Sequence, residues 1–385
     1  MLRVLTLSTL FPDASRPNFG IFVERSIQAL AALPDTQVTV VAPIGTPPWP
    51  LSTLRHYRGQ ADVPARETWH GIDVHRPRFT VLPGTGGRFH VAGLVRALRP
   101  VLDRLDFDVI DASFFFPDGP AAVALGERYG VPVSIKARGA DIHHWGNAPA
   151  TRAQVLAAGR AAGGLLAVGD ALKADMVALG MPEDRIRVHH TGVDHARFHP
   201  RDRAAAKAAL GLEGPVVLSL GALIARKGHH VVVEALACLP GATLLIAGEG
   251  PEREALGALA ARLGVRVQLL GAVAHDDLPG LIAAADVMAL ASSSEGLANA
   301  WVESLACGTP IVITEAGSAR DVVTTPAAGR IAARDPAAFA AAIGEVLREA
   351  PSQEAVAAAA ARFSWSANGA ALRAHLATLV QASSG

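Results

Sequence analysis

Val216-Val-Leu-Ser-Leu220-Gly221-Ala-Leu-Ile-Ala-Arg226-Lys227-Gly228-His229 is a five-residue run, apolar but for Ser219, then a glycine turn, two adjacent cations and a glycine ahead of the helical pattern Val231 to Leu239. A continuous apolar run of this length, followed by a turn and a helix, reads as a strand buried on both faces and the opening of a βα unit. Working outward, similar runs recur at Thr243–Ala247, Val267–Leu270, Val287–Ala291 and Pro310–Thr314. Before them stand Arg3–Ser8, Val38–Ala42, Val109–Ala112, Val133–Ala137 and Leu165–Val168, with Ala-rich helical stretches between. Strands alternating with helices imply parallel sheets with helices on both faces. The pattern occurs twice, on either side of about residue 195, so the expected class is α/β: two doubly wound Rossmann-like domains facing a central cleft, with ligand groups at the carboxyl ends of the strands.

The expected domains are 1–191 and 203–364, joined by an aperiodic linker at 192–202, Gly192 to Asp202. The amphipathic helix near Ser366 to Leu379, within 365–385, is expected to pack back on the first domain. A chain of 385 residues suits two such cores. The 35 Lys and Arg balance 35 Asp and Glu, leaving no global field to recruit nucleic acid. Cys238 and Cys307 lie in apolar helical stretches and read as buried thiols of a reducing compartment. Met1 to Leu10 reads as a buried strand rather than a signal peptide, and charges interrupt every apolar stretch before bilayer length. A cytoplasmic chain is expected. Residues 51–104 carry nine arginines against four acidic residues, with Trp69, Phe79 and Phe89 among them. This stretch is compatible with a solvated face and with peripheral contact to anionic lipid at the inner face of a membrane.

Two further stretches carry chemistry. Ala291-Ser-Ser-Ser-Glu295-Gly296-Leu297-Ala298-Asn299-Ala-Trp-Val-Glu303 leads a strand end into a helix expected over Leu297 to Cys307, stopped by Gly308 and Pro310. A helix N-terminus suits a diphosphate or a sugar hydroxyl. Glu295 and Glu303, eight positions apart, would lie roughly 12 Å apart along a helix axis. Glu303 can accept from vicinal ribose hydroxyls and Glu295 can hold a sugar, although both also fit structural charges. Arg226 and Lys227 suit a diphosphate, whose charge grows as a glycosidic bond breaks. Gly221 permits close backbone approach. The loop Gly248-Glu249-Gly250-Pro251 can lie against a base or ribose, and the backbone near Val273 can meet a base edge, although both stretches read first of all as plain turns.

In order, Gly221…Arg226-Lys227-Gly228, Gly248-Glu-Gly-Pro251, Leu270-Gly-Ala-Val273, Ala285-Asp286-Val287, Glu295-Gly296…Glu303-Ser304 and Ala306-Cys-Gly-Thr-Pro310 make a set that resembles the retaining GT-B glycosyltransferases of family four. The branch it resembles builds exopolysaccharides, teichuronic acid and capsules. Thr191-Gly-Val-Asp194…Phe198-His-Pro200 and Arg16-Pro-Asn-Phe-Gly20-Ile-Phe-Val-Glu-Arg25 are similar to the family's linker and first-domain loop. The resemblance implies the GT-B fold and a UDP-, GDP- or similar nucleotide-sugar donor, with no cofactor. Arg226 and Lys227 would grip its diphosphate, Glu303 its ribose, Glu295 with the backbone of Gly296, Leu297, Ala298 and Asn299 its sugar and phosphate, while Gly20 would let the first-domain loop approach. Ala298 stands where the family commonly has a second glycine, and Thr191 where it has asparagine.

On the acceptor side, Arg138-Gly-Ala-Asp141-Ile-His143-His144 resembles the family's loop near the reaction centre, where Asp141 can orient or deprotonate a hydroxyl or else simply pair with Arg138. His143 and His144 lack a third ligand at metal spacing, and Asp106-Phe-Asp108 precedes a strand on the side away from the expected cleft, so no metal is assigned. The expected reaction is transfer of a hexose-type sugar, with retention, to a glycan or lipid-linked glycan. A sugar-nucleotide 2-epimerase of similar fold and a non-catalytic sugar-nucleotide-binding module remain as alternatives.

Overall fold

The computed structural model describes residues 1–383 other than 18 and 55–58. Asn18 of the first-domain loop, and Arg55 and Arg58 of the arginine-rich stretch, lie outside the described residues. The chain divides into two units, Met1–Gly192 with Trp365–Gly385, and Val193–Ser364.

The first unit holds β1 (Leu2–Leu7), β2 (Thr36–Val41), β3 (Ile44–Thr46), β4 (Arg66–Trp69), β5 (Ile72–His75), β6 (Arg78–Thr80), β7 (Val109–Ala112), β8 (Val133–Ala137), β9 (Gly164–Ala167) and β10 (Ile186–Val188). Its main sheet runs β10-β9-β8-β7-β1-β2-β5-β4, parallel except for the β4–β5 pair, while β3 and β6 form a small parallel pair. The span 44–80 contains the short strands β3 to β6. Arg66-Glu-Thr-Trp69 and Ile72-Asp-Val-His75 make a hairpin on the sheet edge, with one face of each strand polar. Arg76, counted among the surface arginines, is instead buried, with Nε bonding Glu67 at 2.6 Å and Nη2 donating to the Pro12 carbonyl at 2.8 Å.

The last helix, Trp365–Ser383, belongs to this unit and places Leu372 and Leu376 against Val4, Leu30, Val109 and Leu166. Buried polar contacts fix its register. The Ser26 hydroxyl donates to Asn368 Oδ1 at 2.6 Å, Asn368 Nδ2 donates to the His190 carbonyl at 2.6 Å, and His375 Nε2 lies 3.1 Å from Ser134 Oγ. Because buried polar groups must be paired, this set discriminates against sliding of an otherwise Ala-rich helix.

The second unit holds β11 (Val216–Leu220), β12 (Thr243–Ala247), β13 (Arg266–Gly271), β14 (Val287–Leu290), β15 (Ile311–Thr314) and β16 (Gly329–Ala332), all parallel, in the order β13-β12-β11-β14-β15-β16. Every residue of β11, β12, β14 and β15 is buried, whereas the edge strand β13 alternates between exposed and half-buried positions. The residues expected to link the domains fold onto this unit. Val193 donates to the Phe363 carbonyl at 2.9 Å and Phe198 is 1% exposed. Asp202 caps the helix Arg203–Ala209 by accepting from Ala205 N at 3.0 Å. Cys307 is buried as expected, but Cys238 is exposed: the helix His229–Leu236 ends before it, so the helical stripe that would have turned it inward stops two residues short.

Candidate functional site

In the second sheet the crossovers run outward in both directions from β11 and β14, which makes the carboxyl ends of these two strands the switch point where doubly wound sheets take ligands. The loops there are joined to one another by backbone hydrogen bonds. Gly221 N–H donates to Ala247 O at 3.0 Å, Leu223 N–H to Glu249 O at 2.8 Å, Gly248 N–H to Gly271 O at 2.8 Å and Ser293 N–H to Arg226 O at 2.8 Å. Arg334 adds a brace, with Nε donating to Ala291 O at 2.8 Å and Nη2 to Ala225 O at 2.7 Å. Gly228, at φ 69°, ends the turn Ala225–Lys227 so close to β14 that a Cβ would lie 2.0 Å from the Ala291 carbonyl oxygen. Only glycine supplies both that dihedral and that clearance.

The cations converge on Glu295, a buried carboxylate whose Oε1 lies 2.5 Å from Lys227 Nζ and accepts from Ser292 Oγ at 2.7 Å. Its Oε2 lies 3.7 Å from Arg226 Nη1, which also donates to the Ser294 carbonyl. Two cations on one carboxylate form a centre of net charge +1, and Arg226, at 45% side-chain exposure, is its outward part. Beside it a cavity of about 410 Å³ is lined by Gly221, Lys227, Glu249, Val273, Asn299 and Glu303, among others. Ala298 also reaches the lining, while Arg226, Gly250, Glu295, Gly296 and Leu297 stand outside it.

The helix after β14 starts later than expected, at Asn299, because Ala298 is extended (φ −73°, ψ 125°) as its N-cap. Glu295 therefore sits in the turn before the helix, and the 12 Å spacing of a continuous helix does not describe the two glutamates. Glu303 lies on the helix Asn299–Ala306 with Oε1 3.1 Å from His275 Nε2. His275 escaped the sequence reading. Its signal was its place, two residues beyond the Leu270–Val273 motif.

The first-unit candidates have a different character. Asp141 is fully buried, and its oxygens accept the backbone N–H groups of Phe115 (3.0 Å), Arg138 (2.9 Å), Gly139 (2.8 Å) and Ile142 (3.2 Å). Burial raises its pKa against the pull of those amides. A carboxylate so enclosed organises its loop: its hydrogen bonds go to backbone amides, and the Arg138 side chain acts on it through charge rather than through a hydrogen bond. That guanidinium donates from Nε to Ser113 O at 2.6 Å and lies 4.7 Å over the Phe22 ring, and burial brings its pKa down to about 10. His143 Nε2 is 2.8 Å from Asp175, and Asp108 pairs with Arg3 at 2.6 Å. Gly20, at φ 73°, caps the helix Ile21–Ala31, where a Cβ would lie 2.4 Å from Leu10 O. Among the described residues no three His, Cys, Asp or Glu side chains group as a metal shell, and no helix is long and apolar enough to cross a membrane.

Comparison with known proteins agrees with this architecture. Residues 200–363 match the model for glycosyl transferases group 1, and residues 20–197 that for glycosyltransferase family 4. The chain is 38% identical over 194 residues to D-inositol 3-phosphate glycosyltransferase of Mycolicibacterium gilvum, covering 47% of this chain and 44% of that protein. The corresponding Mycobacterium tuberculosis protein (strain H37Ra) is 40% identical over 159 residues, 38% of this chain and 33% of its own. Each match thus spans less than half the length of the relative. Among solved structures, sucrose-phosphate synthase from Thermosynechococcus elongatus superposes with a TM-score of 0.81 at 21% identity, covering 99% of this chain and 100% of that one. Anabaena HepE in complex with UDP-glucose superposes at 0.71 and 21% identity, covering 98% and 100%. The chain has the two-domain α/β GT-B fold.

Proposed function

We propose that this GT-B chain is a glycosyltransferase that moves a hexose-type sugar from a nucleotide-diphosphate sugar to an acceptor hydroxyl with retention of anomeric configuration. The observation that carries the reading is the cavity at the β11–β14 switch point, with Lys227 in its wall beside the Arg226–Glu295 centre and Glu303 on its helix. Arg226 and Lys227 take the diphosphate, Glu303 the ribose, and Glu295 with the turn Gly296 to Asn299 the sugar. Gly221, Gly250 and Val273 present backbone to the nucleotide. As the bond from the anomeric carbon to the diphosphate oxygen breaks, negative charge gathers on the leaving group, where two cations stabilise the transition state more than the ground state. The acceptor oxygen bonds to the anomeric carbon on the same face, and its proton passes to the departing diphosphate. This route asks for no carboxylate base, in keeping with the enclosed position of Asp141.

For the acceptor, a lipid-linked glycan has physical support in the first unit: Trp49 (81% exposed), Leu51, Leu54, Leu82 and Phe89 stand exposed in and beside the arginine-rich stretch. Apolar side chains among cations suit an anionic lipid surface. The names of the relatives, D-inositol 3-phosphate glycosyltransferases, support a second reading, an inositol phosphate acceptor. Flotation with anionic liposomes at moderate salt supports the first, and its absence the second.

The test of the reaction is proton NMR of the product formed from a panel of UDP- and GDP-sugars with each acceptor class. A retained anomeric configuration supports the proposal. An inverted product or a trapped glycosyl-enzyme adduct overturns the retaining route, and interconversion of a sugar nucleotide without acceptor identifies an epimerase.

A further inference from the structure

Glu303 projects from the helix Asn299–Ala306 into the cavity wall, and among the described residues its side chain has one hydrogen-bonding partner, His275 Nε2, 3.1 Å from Oε1. His275 is outside the cavity lining and approaches Glu303 from the turn between β13 and the helix Leu278–Ala284. The imidazole is itself held. Its ring stands edge-on to Phe198, with centroids 5.3 Å apart, and the neighbouring Asp276 is paired with Arg197. Phe198 is 1% exposed and does not yield easily. One carboxylate oxygen is thus tethered, and the other acceptor positions of Glu303, a residue of the cavity lining, are not taken up by hydrogen bonds to described residues.

We propose that His275 is a positioning residue for the nucleotide, holding the Glu303 carboxylate in the orientation that accepts the ribose hydroxyls. The inference rests on the assignment of Glu303 to the ribose. A glutamate with three rotatable bonds loses freedom when a ligand fixes it, and a side chain already fixed loses less on binding. Because His275 does not line the cavity, its contribution should appear only through hydroxyl groups that Glu303 contacts.

The test is calorimetric binding of UDP and 2′-deoxy-UDP, repeated with GDP and 2′-deoxy-GDP, to the full chain and to Glu303→Ala, His275→Ala and His275→Gln. The wild-type protein is expected to prefer the ribonucleotide about 10-fold or more, as for a hydrogen bond to a charged group. Glu303→Ala brings that ratio close to one. His275→Ala weakens ribonucleotide binding roughly 2- to 12-fold and weakens the deoxyribonucleotide, which keeps only the 3′-hydroxyl for Glu303, by less, so the ratio falls. His275→Gln, whose amide N–H can reach the same oxygen, restores it. A wild-type ratio in His275→Ala, with collapse in Glu303→Ala, overturns the inference and leaves the ribose assignment standing. Equal weakening of both nucleotides in His275→Ala means general structural support and also overturns it. No ribose preference in the wild-type protein removes the ribose assignment and the inference together.

Discussion

Glu295→Gln is expected to tighten binding of a bare nucleoside diphosphate while impairing sugar transfer, two effects of opposite sign from one atom change. The carboxylate lies 2.5 Å from Lys227 Nζ and 3.7 Å from Arg226 Nη1, so it competes with a diphosphate for both cations. At 3.7 Å a unit charge pair is worth about 1 kcal/mol in water and about 4 kcal/mol at an effective dielectric constant of 20. Arg226 is nearly half exposed, so the watery value is the better guide. Releasing that competition for Arg226 alone, about 1 kcal/mol, makes UDP or GDP bind at least about 5-fold tighter to Glu295→Gln. Turnover of the sugar nucleotide falls at least 10-fold, because the group proposed to hold the sugar has lost its charge. Lys227→Ala works the other way, weakening the diphosphate by about 10- to 150-fold, the value of a charged hydrogen bond. Isothermal titration of UDP and GDP into the three proteins, paired with initial rates, measures both effects. If Glu295→Gln weakens the diphosphate as much as Lys227→Ala does, the carboxylate orients the cations rather than competing for them, and the reasoning fails.

Three other outcomes follow from the same structure. Asp141→Ala leaves the backbone N–H groups of Phe115, Arg138 and Gly139 without their acceptor, Ile142 keeping the Gly139 carbonyl, and should destabilise the protein by about 3 kcal/mol or more in urea unfolding, with Asp141→Asn recovering part of the loss. A loss below about 0.5 kcal/mol would show the loop to be independent of the carboxylate. Burial holds the pKa of His375 down to about 4, so its folded form resists protonation, and its contribution is present above pH 6.5 and lost as the pH falls toward 4. Asp111 and Asp118, whose pKa values burial raises to about 6 and about 7, act in the opposite sense over part of that range, so the clean measurement is a difference: His375→Gln should remove acid sensitivity on the order of 3 kcal/mol between pH 7 and pH 4. An unchanged pH profile would contradict it. Finally, a thiol reagent should titrate exposed Cys238 in the native protein but not Cys307, which is buried with its pKa pushed up to about 12; rapid reaction of both would place Cys307 wrongly.

The doubly wound arrangement was legible because β11, β12, β14 and β15 are fully buried runs dominated by Val, Leu, Ile and Ala, a pattern read directly from the sequence. The short strands β10 and β16 and the β4–β5 hairpin were missed, being three or four residues long and partly polar, where pairing rather than composition makes the strand. Arg226, Lys227 and Glu295 lie together at the strand ends, but the pairing of both cations with Glu295 was not legible, and the helix boundary shifted because Ala298 takes an extended conformation that no residue type announced. Asp141 shows the converse limit. Its spacing from Arg138 suggested a side-chain pair, but the bonds that hold it go to backbone amides, which carry no signature in the sequence. His275 belongs to the same class, since its partner Glu303 is 28 residues away and only the fold brings them within reach.

The central claim is that the cavity beside Lys227 holds a nucleotide sugar and hands its sugar to an acceptor. The most direct measurement is chromatographic quantitation of nucleoside diphosphate released from UDP- and GDP-sugars, with and without acceptor, by the wild-type protein and Lys227→Ala. The account predicts acceptor-dependent release from at least one donor, reduced about 10-fold or more in Lys227→Ala. Release equal in the two proteins, or donor consumed without acceptor and without diphosphate appearing, would contradict it.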